Sequence, residues 1–198
     1  MKKYLMGIAV GLALAACGQQ QSETAPAQPK QEMTAEQAKY VLCGQALDLT
    51  AEQLLKNMDE GLRATKASPA ILDQKLTAND CGYTLEMAMT YGTIRLELDE
   101  QQKVRNLAVG YQNISGQEGL LKNMNNALAS VQTVMSVNGS AKFGETELGK
   151  KLFTTLIDLM AENKNSAGAT TRDVDFDGKR YTVGIEGRTV AIVVRKIP

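Results

Sequence analysis

The sequence predicts an α+β fold, in which an antiparallel sheet is packed by helices in the order αα-βββ-αα-βββ. Apolar residues recur at helical spacing in two regions, up to about residue 62 and again between residues 115 and 160. After each region the apolar period changes to two, which is typical of half-buried strands. Tight-turn pairs such as Asp177-Gly178 separate the last strands, and they favour antiparallel hairpins.

The first half is predicted to begin with two helices. Thr34 and Gln37 have the spacing of a capping box, which predicts a helix that continues to Leu47. Asp48 or Thr50 can cap a second helix. The apolar face of this second helix consists of Leu54, Leu55, Met58 and Leu62.

Three strands are predicted to follow the first helices. Pro69 and the polar stretch around Asn79 interrupt the pattern before them. Alternation then predicts strands over 83–89, 94–98 and 107–111. The apolar positions change parity near Gly92, which predicts a turn or bulge there.

The second half repeats this order. Ser115 opens a helix whose apolar stripe runs from Leu120 to Met135, and a further stripe from Leu148 to Met160 predicts another helix. The turn pairs Asp177-Gly178 and Glu186-Gly187 separate strands near 171–176, 180–185 and 188–196. Residues 190–194 are apolar at every position, which predicts that the last strand lies centrally in the sheet.

A short sequence echo leaves open whether the chain contains two similar halves. Residues 83–87 (YTLEM) are similar to residues 181–185 (YTVGI), and 93–96 (TIRL) are similar to 189–192 (TVAI). One interpretation is a duplication, with a ligand site in the groove between the halves. The other is that half-buried hairpins resemble one another by chance.

The N-terminus carries the three parts of a secretory signal. Lys2 and Lys3 provide the positive start, residues 5–14 are an apolar segment, and Ala15 and Ala16 precede Cys17. The apolar segment is about ten residues long, whereas a membrane span needs about 20. Leu14-Ala15-Ala16-Cys17 resembles the lipobox of bacterial lipoproteins, although ordinary secretion remains the alternative.

This resemblance implies an address and an anchor. It implies that residues 1–16 are a signal peptide. It also implies that Cys17 carries a diacylglycerol and a further acyl chain such as palmitate. Two or more such chains hold a protein stably at a membrane. Residue 18 is Gly and not the Asp that commonly retains such proteins in the inner membrane, so the resemblance favours the outer membrane. It leaves open whether the domain lies on the periplasmic or the surface face.

The rest of the chain is predicted to be a tether and one domain. Residues 18–33 are rich in Gln, Ala and Pro without an apolar period, which predicts a disordered tether after Cys17. Residues 34–198 have the length of a single α+β domain. Removal of Lys2 and Lys3 leaves 20 basic against 22 acidic residues, a net charge of −2, which gives no electrostatic case for nucleic acid.

Cys43 and Cys81 are the two cysteines that remain after lipidation of Cys17. An even pair in an oxidising compartment predicts a disulfide. Two buried free thiols or a redox pair are the alternatives, although the C-x-x-C spacing of redox motifs does not occur.

The chain contains no histidine. This excludes Ser–His and Cys–His nucleophilic pairs and imidazole metal ligands. No nucleotide-binding fingerprint occurs, so no cofactor is predicted. Asp173, Asp175 and Asp177 fit the opening of a Ca²⁺ loop, but the twelfth position is Gly184 and not the required Glu. The alternating Asp residues therefore favour a strand and a turn over a Ca²⁺ site.

These observations favour a non-enzymatic lipoprotein that binds a protein or another envelope component, or that serves in assembly. The competing hypothesis is a carboxylate-dependent hydrolase of an envelope polymer, which would need two carboxylates about 5–9 Å apart in a cleft. A third hypothesis is an apolar ligand held between the helices and the sheet.

Overall fold

The computed structural model describes residues 42–65, 70–115, 119–163 and 168–198. All of these residues belong to one compact unit, residues 33–198. They form helices on a seven-stranded antiparallel sheet, which confirms the predicted α+β class. The elements are α1 Ala51–Ala64, β1 Ile71–Asn79, β2 Gly82–Met89, β3 Gly92–Leu98, β4 Val104–Gln112, α2 Gly119–Met135, α3 Glu147–Glu162, β5 Thr170–Phe176, β6 Lys179–Glu186 and β7 Thr189–Lys196, with short 3₁₀ turns at Ser136–Asn138 and Phe143–Glu145.

The strand order is β1-β2-β3-β4-β7-β6-β5. Helix α2 packs on β4 and β7, α3 packs on β5 and β6, and α1 contacts α2. Strand β7 lies between β4 and β6, which confirms the prediction of a central strand. Val190, Ile192 and Val194 are fully buried beneath the helices, as a central apolar strand requires.

The strand register divides the sheet into two faces. One row of paired residues lies on the helix-covered face: Leu96, Leu107, Val194 and Tyr181 belong to the core, and Leu85 packs against it. The next row, Glu97, Asn106, Arg195, Arg180 and Asp175, lies on the opposite face, which we call the open face. The open face is therefore polar where the helix-covered face is apolar.

The start of α1 is set by Thr50. The Thr50 hydroxyl accepts a hydrogen bond from the Gln53 amide, and the Gln53 side chain accepts one from the Thr50 amide. This is a capping box at one of the two predicted positions.

The preceding helix was expected to continue to Leu47, and this is wrong, because residues 44–47 are not helical and Gly44 has a φ of 72°. Residues 34–41 lie outside the described ranges.

The segment around residues 69–79, expected to interrupt the fold, contains strand β1. All nine residues of β1 are exposed, so the segment has no alternation of buried and exposed positions from which a strand could be recognised. It forms because β2 offers it an edge for hydrogen bonding, with a bulge near Ile71. The first half therefore has four strands where three were expected.

The two halves are related in topology but not by the sequence echo. A two-fold axis between β4 and β7 exchanges β4 with β7, β3 with β6 and β2 with β5, and leaves β1 without a counterpart. The echo instead equates β2 with β6 and β3 with β7, which run in the same direction on opposite sides of β4. No rotation superimposes these pairs with the helices on one face, so the echo reflects the general similarity of half-buried hairpins.

Helix α2 differs from the predicted apolar stripe at its first turns. Leu120 and Leu121 are 65% and 78% exposed, and continuous burial begins only near Asn126. Farther along, Gln132 is fully buried, and its amide bonds the backbone of Ala141 and Phe143. Within the described residues, none of the helices combines the length and the apolarity that crossing a membrane requires.

Candidate functional site: an apolar groove at a free sheet edge

An apolar groove lies on the helix-covered face where α1 meets β1 and β2. We call it the β1 groove, a cavity of about 450 Å³. Apolar side chains form most of its lining, and the principal ones are Leu55, Leu76, Tyr83, Leu85 and Leu98. Glu52 is its one charged residue among those described. The groove can therefore take up apolar groups and offers little to a highly charged ligand.

The groove exists because the helical layer ends before the sheet does. Leu96, Leu85 and Leu76 are cross-strand neighbours on β3, β2 and β1. Leu96 is fully buried, Leu85 is partly buried, and Leu76 is 56% exposed. Burial thus decreases step by step toward the edge. Leu55 packs at the margin of the core and forms the opposite wall.

Strand β1 is an edge of the sheet, and it runs along this groove. Within the described residues it pairs with β2 and with no other strand. Half of its backbone donors and acceptors therefore point outward, where another extended chain can bond to them. Asp73 and Lys75 lie on the open-face side of β1, opposite Ala88 and Glu86, and the bulge near Ile71 shortens the regular part of the edge. Charges and bulges of this kind limit indiscriminate pairing but leave the remainder of the edge usable.

The predicted cysteine pair is brought together at the end of this region. The Cys43 and Cys81 sulfur atoms are 1.92 Å apart and the Cα atoms are 5.6 Å apart, which is disulfide distance. Cys81 lies in the turn between β1 and β2, and Cys43 precedes α1. The pair therefore ties the chain before α1 to the hairpin that forms the edge. Cys17, the predicted lipidation site, lies outside the described residues.

The three aspartates of the weak Ca²⁺ candidate pair with basic side chains. Asp173 and Asp175 lie on the open face beside Arg180, whose Nε is 3.5 Å from an Asp173 oxygen and 2.8 Å from an Asp175 oxygen. Asp177 lies in the turn with φ 49° and pairs with Lys179. In the described part of the chain, no group of three or more acidic, Cys or His residues is placed to hold a metal ion. The segment is the strand and turn that the alternation predicted.

Carboxylates of the open face take part in ion pairs with neighbouring arginines. Arg95 bonds Glu97 at 2.7 Å and approaches Glu86 at 3.7 Å, while Arg180 makes two bonds to Asp175. The hydrogen bonds from Arg180 hold the pKa of Asp175 below its usual value. A general acid needs a raised pKa, so this pair has the opposite electrostatic setting.

Comparisons with protein-family models, with curated proteins and with solved structures found nothing that matches this chain.

The residues of the β1 groove were missed as a site by sequence reasoning, because Leu76 lies in the segment expected to be a break. The signal available was the lone Leu76 flanked by polar residues. Such a residue indicates a site only when its neighbours across the sheet are known.

Proposed function

We propose that this protein is a lipoprotein anchored in the outer membrane through Cys17, and that its domain binds a partner protein without catalysing a reaction. The occupant of the β1 groove is an extended segment of that partner, which adds a strand to β1. The observation that carries this proposal is the coincidence of a free strand edge and an apolar groove along one side of it.

The chemistry of the two sides of β1 defines the partner segment. Successive side chains of an added strand point to opposite faces. Alternate residues of the partner would lie over the β1 groove beside Leu76, and apolar side chains fit there. The intervening residues would lie on the open-face side beside Asp73 and Lys75, and polar or charged side chains fit there. The expected segment therefore alternates between apolar and polar residues.

Leu76 can serve binding without serving the fold. Its side chain is already 56% exposed, so replacing it removes little buried surface from the free protein. In a complex the same side chain would be buried together with Leu85 and Leu55. Substitution should consequently affect partner binding more strongly than stability.

The binding test places a photo-reactive amino acid at position 76 of the full chain in its native envelope. We expect ultraviolet light to cross-link position 76 to one discrete protein. The matched control is position 120, because Leu120 is a similarly exposed leucine that lies outside the groove. Equal cross-linking patterns at positions 76 and 120 would contradict the proposed site.

A substitution series completes this test. Leu76→Gln should abolish the cross-link formed by a second probe at position 74, which also lines the groove, and Leu120→Gln should not. Both variants should keep the melting temperature of the parent within about 2 °C, because both leucines are largely exposed. Retention of the position-74 cross-link in the Leu76→Gln variant would refute a role for this side chain.

The anchor is tested separately. Metabolic labelling with a palmitate analogue should mark the full chain, and Cys17→Ser should remove the label. Absence of label from the parent chain would leave ordinary secretion as the explanation of the N-terminal signal. The hydrolase alternative predicts that the parent protein cleaves an envelope polymer, whereas the binding proposal predicts no cleavage by the parent protein.

A further inference from the structure

A second cavity lies at the corner of the sheet where β4 and β6 begin and β7 ends. It has a volume of about 610 Å³, and we call it the basic corner pocket. Four basic side chains line it, Arg105, Arg180, Arg195 and Lys196. It is separate from the β1 groove, with which it shares none of its described lining residues.

Two of these four cations are already neutralised. Arg180 bonds Asp175 and approaches Asp173, and Lys196 bonds Asp48 at 3.0 Å. Arg105 and Arg195 form no ion pair with any carboxylate of the described residues. The lining therefore includes two guanidinium groups that no carboxylate of the described residues pairs with.

The register of the sheet places these charges against one another. Arg195 lies directly opposite Arg180 on β6 and opposite Asn106 on β4. Arg180 already has Asp175 and Asp173 as counter-charges, whereas the directly opposed neighbours of Arg195 offer it no counter-charge. A bound anion would supply that counter-charge.

Unused hydrogen-bonding groups point to the same conclusion. Arg105 donates from Nη1 to the Gly44 carbonyl at 2.6 Å, but its buried Nε has no partner. The buried Oδ1 of Asn106 also has no partner, and rotating the amide by half a turn would present its NH₂ group there instead. Arg105 and Arg195 both line the pocket, and their guanidinium groups are donors of the kind that bind a tetrahedral oxyanion.

We propose that the basic corner pocket binds a phosphate group. Arginine forks match phosphate oxygens in pairs, and among the arginines that line the pocket Arg105 and Arg195 have no ion-pair partner within the described residues. The phosphate can belong to a free phosphate anion or to the headgroup of an anionic phospholipid. Leu42 and Cys43 also line the pocket, and the chain before them leads to Cys17, so a lipid headgroup is within reach if Cys17 is anchored.

The test uses the full chain carrying Cys17→Ser, so that no acyl chain can be attached. Calorimetric titration with inorganic phosphate should show saturable binding, and Arg195→Gln should weaken it at least about tenfold. The phosphate affinity of Arg195→Lys should lie between those of the parent and of Arg195→Gln, because lysine keeps the charge and loses the planar fork of donors. Arg188→Gln is the matched control, since Arg188 is an exposed arginine at the opposite end of β7.

Vesicle flotation distinguishes the two sources of phosphate. Binding to phosphatidylglycerol vesicles that is lost in Arg195→Gln and retained in Arg188→Gln supports a lipid headgroup. Binding of inorganic phosphate without vesicle binding supports a free anion. The proposal is overturned if neither probe binds at millimolar concentration, or if Arg188→Gln weakens binding as much as Arg195→Gln. Arg195 is exposed and forms no ion pair within the described residues, so the variants should fold, and circular dichroism verifies this.

Discussion

Removing the link between Cys43 and Cys81 should destabilise the domain more than most other changes that leave the core residues intact. The two cysteines are 38 residues apart in sequence. In the chain-entropy account, closing a loop of that length lowers the entropy of the unfolded chain by the equivalent of about 4 kcal/mol at 25 °C. Domains of this kind have a total stability of only about 5–15 kcal/mol.

The native structure should survive this change, which keeps the measurement interpretable. The Leu47 amide donates to the Val104 carbonyl, and Thr50 forms a bridge with Lys103, so the chain before α1 remains attached to β4. The loss should therefore arise in the unfolded state. The unfolded chain without the link is less compact, so the dependence of stability on urea should also become steeper.

The assay is urea unfolding of the full chain in a Cys17→Ser background, which removes the third thiol. Cys43→Ala with Cys81→Ala should lower the free energy of unfolding by about 4 kcal/mol relative to the oxidised parent. Reductant should destabilise the parent and leave the double variant unchanged. A loss below about 1 kcal/mol in the double variant would refute the reasoning.

Two further predictions concern the close backbone approach at Gly92 and the buried side chain of Tyr91. Gly92→Ala should destabilise the domain by at least about 2 kcal/mol in urea unfolding, because a Cβ there would clash with the Gly110 carbonyl oxygen. Gly110→Ala should cost much less, because its Cβ would meet only ordinary contacts, and equal losses in the two variants would contradict this reasoning. Burial raises the pKa of Tyr91 to about 12 from the ordinary value of 10.0, so the folded state favours the neutral phenol and stability should fall as the pH rises from 10.0 to about 12. Tyr91→Phe should reduce the slope of the free energy of unfolding against pH by up to about 1.4 kcal/mol per pH unit in this range. An unchanged slope would argue against burial of Tyr91 as the cause of the alkaline loss of stability.

The elements that bury one face could be predicted from the sequence. The alternation in β2, β3 and β6, the stripe of α3 and the cap at Thr50 were all recognisable, because each pattern records burial against the core or a local hydrogen bond. The turn at Asp177-Gly178 was recognisable because both residues have positive φ, which Asp and Gly tolerate.

The features that could not be predicted from the sequence depend on contacts between different elements. Strand β1 is held by backbone hydrogen bonds to β2 and buries none of its side chains fully, so its sequence carries no period. Leu120 and Leu121 continue the helical spacing of α2 but lie beyond the cover that its neighbours provide. Gln132 is polar in sequence yet fully buried, because the loop at residues 141–143 satisfies its amide.

The sequence by itself determined the fold class, the central position of β7 and the candidate cysteine pair, because these depend on local periodicity and on the number and type of residues. It also supports the proposed anchor at Cys17 through the resemblance of the signal. Only the tertiary structure decided where the candidate surfaces lie. The β1 groove depends on Leu76 and Leu85 lying side by side beyond the helical layer, and the basic corner pocket depends on Arg105 and Arg195 lining one cavity from separate strands. Leu76 and Leu85 face each other across one hairpin, whereas Arg105 and Arg195 come from different halves of the chain, and in both cases strand pairing brings the residues together.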